Sequence, residues 1–342
     1  MIYGQSALWI ISRLDNILKL SITKRIAAIR EKIPVEEKAM SPKEAIQGAE
    51  PAATAGVMEF LSPYIELTKP RITTLVLVST ALGFFLGTRG IESFALLAWT
   101  LLGTACTAGG SGALNHYFER DIDKCMKRTS ARPLPAGLVK PATTMSYGLI
   151  LIFVGLVILI MGVNLLTAFL ALLTAFLYVV VYTPMKRLTW LNTSLGSIPG
   201  ALPPVGGWAA ATGTVTIEAW ALFAILFAWQ HPHFYAIAWI FREDYRRGGF
   251  KMLPVVEPDG KRMCRHIIGF SLLLMVASTL PTLFGLSGSL YLTGAMVLGS
   301  ALLAAGITFS MSKSMGDARR LLRASVIYLP LLFILTVIDV GF

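Results

Sequence analysis

Charge is scarce in this chain. Asp, Glu, Lys and Arg make up 14% of its residues, against roughly 25% in soluble domains. A surface this poor in charge excludes an ordinary soluble globule. Cysteine is nearly absent as well. Cys106, Cys125 and Cys264 share no metal-ligand spacing and offer no disulfide framework. Cys125 reads as a plain cytoplasmic thiol. Acids are the rarest charge, 19 against 30 Lys and Arg, so any cluster of them stands out. The net charge of +11 does not point to nucleic acid, because the bases lie in short loops between apolar runs. No sequence repeat is evident.

What is abundant is apolar. Hydrophobic residues make up 55% of the chain and its mean hydropathy is +0.67. This predicts an all-α membrane protein in the lipid bilayer. Nine spans are expected at 72–89, 95–116, 144–162, 165–182, 191–210, 218–240, 266–286, 290–310 and 322–341. The fifth holds Pro199, Pro203 and Pro204, which predicts a kink.

The bases orient these spans. The second loop holds Arg120, Lys124, Lys127, Arg128, Arg132 and Lys140. Lys186 and Arg187 lie in the fourth, Arg242 to Arg265 in the sixth and Lys313 to Arg323 in the eighth. Alternate loops are almost free of base, Arg89 being the main exception. The positive-inside rule puts the N-terminus and every basic loop in the cytoplasm. The expected location is the cell inner membrane of a bacterium, with the mitochondrial inner membrane as the alternative.

Residues 1–60 differ in kind from a multi-pass domain at 61–342. Residues 7–30 are amphipathic, as a membrane-surface helix or a transit peptide would be, although Asp15 counts against the latter. Residues 31–57 read as a linker.

Two polar stretches carry the chemistry. The first runs from Asn115 to Asp123 and follows directly on an apolar run, where acids are costly. Asn115, Glu119 and Asp123 recur every four residues and drift only about 80° around a helix. They form one face of oxygen donors suited to a hard cation. Asp121 points roughly opposite. The alternative is a helix end pairing its own ions. The second stretch reads Trp229-Gln230-His231-Pro232-His233-Phe234, then Arg242-Glu243-Asp244-Tyr245. Its histidines suit a haem-like plane or simple hydrogen bonding. Its acids suit a second magnesium site or pairing with Arg242 and Arg246. Lys69 and Arg71 open the first span, Tyr182, Lys186 and Arg187 close the fourth, and Asn192 begins the fifth. Together they predict an electropositive entrance.

Asn115-x3-Glu119-x3-Asp123 with Arg128-Thr129-x2-Arg132-Pro133-Leu134 resembles the first motif of the UbiA-type intramembrane prenyltransferases. The segments Leu67–Arg71, Tyr182–Pro204, Trp229–Phe234 and Arg242–Gly249 resemble the haem-farnesylating branch of that family. The likeness covers about residues 60–342. Two positions depart from the family pattern: Glu119 stands where Asp is usual, and Ile240 stands four before Asp244 where the second motif usually has Asp.

The resemblance implies helices arranged around a central cavity. It implies farnesyl diphosphate and haem b as substrates, haem O and diphosphate as products, and Mg²⁺ as cofactor. Asn115, Glu119 and Asp123 would hold one ion, Glu243 and Asp244 a second. Lys186, Arg128 and Arg242 would neutralise the leaving group, and Phe118, Phe234, Tyr235 or Trp239 would face the allylic cation. Substrate contacts would come from Lys69, Arg71, Arg132, Tyr182, Arg187, Asn192, His231, His233, Tyr245 and Lys251. Met126, Pro133 and Pro135 would lie in a closing loop. The product would pass to haem A synthase or to terminal oxidase assembly. The alternatives are the same fold acting on another aromatic acceptor, and a membrane transporter.

Overall fold

The computed structural model describes residues 49–340. The amphipathic segment expected at 7–30 and most of the expected linker lie outside the described residues. The end of that linker is helical instead, because a helix runs Ala49–Leu67. Residues from Glu59 onward form one compact unit.

All regular structure among the described residues is helical. Seven helices are long and apolar enough to cross a membrane: Pro70–Thr88, Phe94–Asp123, Pro141–Gly162, Leu165–Leu188, Lys261–Leu283, Ser289–Ser312 and Met315–Asp339. Phe153, Met161, Leu165, Val276 and Ile327 stand exposed along them. A soluble protein hides such side chains, whereas a bilayer covers them.

The expected fifth and sixth spans are helical but fall outside those seven. The fifth is broken rather than kinked, into Asn192–Ala201 and Pro203–Thr212. Pro203 and Pro204 have no N–H to continue the first piece, and Pro suits the opening turn of the second. The sixth, Ile217–Ile240, is unbroken. Gln230, His231, Pro232 and His233 sit inside it and lower its hydropathy.

Two packing devices bring the polar ends together. Phe94–Asp123 lies close against Pro141–Gly162 through facing glycines. A Cβ on Gly155 would come within 2.6 Å of the Gly103 carbonyl, and one on Gly148 within 3.0 Å of the Gly110 carbonyl. Small residues allow such approach where apolar burial gives no drive inside lipid. Second, the loop after Asp123 interlocks with the loop after Ile240. Met126 is fully buried among Ala238, Phe250 and Met252. Gly248 leaves room for it, since a Cβ there would sit 3.0 Å from the Met126 sulfur.

The Leu165–Leu188 span changes pitch near its end. Residues Leu177–Tyr182 form a π-helical turn before Thr183–Leu188. Pro184 cannot donate a backbone hydrogen bond, which favours the wider turn. Such turns often mark functional sites, and this one carries Tyr178 and Tyr182.

Candidate active site

Asn115, Glu119 and Asp123 lie on the last turns of Phe94–Asp123, each 4% exposed or less. Buried acids need partners, and each member of this row has a base. The Asn115 side-chain oxygen accepts from the Lys69 ammonium. Glu119 Oε1 accepts from Lys186 Nζ at 2.7 Å. Both carboxylate oxygens of Asp123 accept from Arg132, at 2.9 and 2.8 Å. The other end of the Asn115 amide donates to Thr183 Oγ1 at 2.9 Å.

These bases come from separate parts of the chain. Lys69 follows the first described helix and precedes Pro70. It adopts φ 52° and ψ 62°, a left-handed conformation uncommon for a side chain other than glycine. That turn brings its ammonium to Asn115 and to the Tyr178 hydroxyl at 3.2 Å. Burial pushes the Lys69 ammonium down to about 7, against the pull of Glu119. Lys186 lies over the Tyr182 ring at 4.6 Å. Arg132 returns from the loop after Asp123. That loop is pinned by Thr129, whose hydroxyl donates to the Asp123 carbonyl at 3.0 Å.

The second acidic stretch is built differently. Glu243 is exposed and pairs with Arg246 at 2.7 Å and Arg242 at 3.8 Å. Asp244 is buried. It pairs with Arg247 and accepts from the Lys127 backbone N–H at 3.3 Å. Burial favours its neutral form, but Arg247 and the backbone N–H groups of Lys127 and Arg128 hold its carboxyl below the usual range. Arg128 lies over Phe241 and Tyr245, at 5.5 and 5.8 Å. Arg242 stacks on Trp239 at 4.6 Å. This stretch therefore touches the first through the 124–132 loop. Among the described residues, no three His, Cys, Asp or Glu side chains form a metal-holding group.

The remaining expected residues separate clearly. Arg71 and Arg187 are exposed. Lys251 is exposed, but its backbone N–H donates to the Lys186 carbonyl at 2.7 Å. Asn192 is buried and donates to the carbonyls of Thr189 and Lys251 at 2.7 and 3.0 Å, so it shapes the turn beside Lys186. His231 meets Ser194 at 3.0 Å and the Phe227 carbonyl at 2.8 Å. His233 meets Ser325 at 2.9 Å. Trp239 packs in the core against Phe309, with ring centroids 5.7 Å apart, while Phe118 is exposed.

Sequence reasoning missed Tyr178 and Thr183. Tyr178 had a signal in spacing, since Tyr178, Tyr182 and Lys186 recur every four residues at the end of an apolar helix, whereas Thr183 had none.

The donor set tests whether a metal fits here. Two carboxylates and one amide oxygen share one helix face, all hard oxygen donors of the kind a small divalent cation prefers. The three bases beside them match the oxygens of a phosphorylated ligand. The donor chemistry of this row thus suits a hard cation and a polyphosphate.

Residues 76–334 match the model of the UbiA prenyltransferase family. A "Protoheme IX farnesyltransferase" of Solibacter usitatus (strain Ellin6076) is 46% identical over 286 residues, covering 81% of this chain and 98% of that protein. Among solved structures, a digeranylgeranylglyceryl phosphate synthase superposes with TM-score 0.71 at 16% identity, over 83% of this chain and 99% of that one. A UbiA homolog from Archaeoglobus fulgidus bound to GPP and Mg²⁺ gives TM-score 0.60 at 18% identity, over 82% of this chain and 100% of that one. The helical fold, the paired row of oxygens and bases, and these likenesses agree: the chain belongs to the UbiA prenyltransferase family.

Proposed function

We propose that this protein transfers the farnesyl group of farnesyl diphosphate to a vinyl group of haem b, with addition of water, giving haem O and diphosphate. The observation that carries this reading is the row Asn115, Glu119 and Asp123 with a base on each member, in a chain 46% identical to a farnesyltransferase of protohaem.

Asn115, Glu119 and Asp123 would hold Mg²⁺, as the donor chemistry suits and as the GPP-bound homolog's own Mg²⁺ supports. The ion supplies charge neutralisation on the departing diphosphate. Lys186 and Arg132 pair with the two carboxylates, Lys69 holds the Asn115 amide oxygen, and all three are placed to grip diphosphate oxygens. Arg128 lies on the same loop as Arg132, over the Phe241 and Tyr245 rings. The preorganised charge of these bases favours the leaving group where negative charge develops.

The allylic carbon–oxygen bond breaks and its electron pair leaves with diphosphate. The rings of Tyr178 and Tyr182 lie beside the bases, and their faces stabilise the farnesyl cation. The vinyl group supplies the pair for the new carbon–carbon bond. Water adds to the resulting cation, and its proton leaves with diphosphate. No side chain need activate the vinyl carbon.

Glu243 and Asp244 form local pairs with Arg246 and Arg247, and Asp244 also holds the Lys127 N–H. These contacts support a loop-joining role better than a second ion. The positive-inside pattern supports a multi-pass inner-membrane protein with this site on the cytoplasmic side. The haem O product would pass to haem A synthase or oxidase assembly.

The test is direct. Membranes carrying the protein, given haem b, farnesyl diphosphate and Mg²⁺, should yield haem O by mass. Asp123→Ala should yield almost none. Wild-type membranes without haem O, or an undiminished variant, would overturn the reading.

A further inference from the structure

The chain has four histidines, and no motif in it includes His266. His116 is buried. His231 is enclosed. Its Nδ1 faces the Phe227 carbonyl, which can only accept, so Nδ1 carries the proton and Nε2 accepts from Ser194. One face of its ring is covered by Phe270, with centroids 3.4 Å apart. His233 is held by Ser325 and stacked on Trp229, with centroids 4.8 Å apart.

His266, like His233, is hydrogen-bonded only through Nδ1 among the described residues, and differs from it in its surroundings. It is half-buried on the Lys261–Ala277 helix. Its Nδ1 meets the Tyr235 hydroxyl at 2.9 Å, and its Nε2 makes no hydrogen bond among the described residues. When Nδ1–H donates to a neighbouring oxygen, Nε2 is left as a free, oriented lone pair. That is how metal-ligating histidines are usually supported.

Its surroundings narrow the ligand. The Trp190 ring lies 5.9 Å from the imidazole. Arg262, one helical turn before His266, places its guanidinium 4.8 Å from the Trp190 centroid and pairs with Glu257 at 2.9 Å. Arg265 is exposed beside it. A free imidazole nitrogen, a broad aromatic face and two guanidinium groups match a flat iron chelate with carboxylate arms. Trp190 lies four residues after Lys186, which holds Glu119. Trp190 thus follows directly on the turn that ends the helix carrying Lys186.

We propose that His266 is an axial ligand that docks the acceptor haem, with Tyr235 as its positioning residue, Trp190 against the porphyrin and Arg262 and Arg265 on the propionates. This rests on haem as the acceptor.

The test uses the full chain in detergent, titrated with ferric haem b and followed by the Soret band. His266→Gln should lose the ligated band and bind haem at least tenfold more weakly. Its KM for haem should rise while its KM for farnesyl diphosphate stays unchanged, which also shows that the variant is folded. The double variant Arg262→Gln, Arg265→Gln should bind haem b at least threefold more weakly and its dimethyl ester as wild type does. If His266→Gln does not fold, Tyr235→Phe replaces it. An unshifted Soret band in Tyr235→Phe overturns the proposal.

Wild type that binds haem equally well as His266→Gln overturns this site alone, as does loss of the band in His233→Gln but not in His266→Gln. Wild type that binds no haem, yet releases diphosphate from farnesyl diphosphate, overturns haem as the acceptor and this site with it.

Discussion

The two acidic stretches look alike in sequence and differ in construction. In the first, Asn115, Glu119 and Asp123 are buried and each meets a base from outside its own helix, while exposed Asp121 alone pairs locally with Arg120 and Lys124. Glu119 finds Lys186 sixty-seven residues away, and Asn115 finds Lys69 forty-six residues away. In the second, both acids pair three residues onward on the same helical turn. Local pairs form wherever a helix end reaches water and contribute little. Long-range buried pairs cost desolvation, and the fold must supply both partners in register. A chain that buries Asn115, Glu119 and Asp123 at one stretch and only Asp244 at the other has placed most of its electrostatic work at the first.

Removing one base from the buried row should do the most damage. Lys186→Met leaves Glu119 buried without a partner, which costs about 3–5 kcal/mol. It also removes a group aimed at the leaving diphosphate, worth ~10²–10³ in rate for a preorganised electrostatic contact. Thermal unfolding in detergent and haem O formation should both report it. Adding Glu119→Gln should restore much of the stability and none of the activity. Full activity in the double variant would show that the pair is only structural.

Asp244 is the buried acid of the second stretch. Asp244→Asn keeps an oxygen for the Lys127 N–H and loses the pair with Arg247. If Asp244 joins the loops, activity falls about tenfold through misplacement of the loop that carries Arg132, within the range seen for supporting residues. The Mg²⁺ concentration for half activity should not move. A shift in that concentration would instead make Asp244 a metal ligand.

The sequence made the spans legible because hydropathy reports burial in lipid regardless of tertiary contacts. It also placed Asn115, Glu119 and Asp123 on one face, because helix periodicity is local. It could not assign each base to its acid. Lys69, Lys186 and Arg132 sit where topology alone puts bases, and only packing distinguishes them from exposed Arg71 and Arg187. The break at Leu202 was visible as prolines but not as two helices, since neighbours decide whether a proline kinks or ends a helix. The histidines show the same limit. His231 and His233 are two apart, so on a helix they face different neighbours. Whether either ring nitrogen is free depends on Ser194, Phe227 and Ser325, which lie on other turns or other helices.

Glu243 offers the finest discrimination. Its side chain is 60% exposed and already pairs with Arg246 and Arg242. An exposed pair of this kind contributes about 0–1 kcal/mol. Glu243→Gln should therefore leave the melting temperature nearly unchanged and alter haem O formation less than about threefold, an effect within that same energy range. Ionic strength supplies the control, because screening weakens exposed pairs far more than buried ones. Raising salt should bring wild type and Glu243→Gln still closer together, while leaving Lys186→Met as impaired as before. If Glu243→Gln matched Asp123→Ala in its loss of haem O, the second stretch would share the catalytic burden, and the contrast between local and long-range pairing would no longer identify the site.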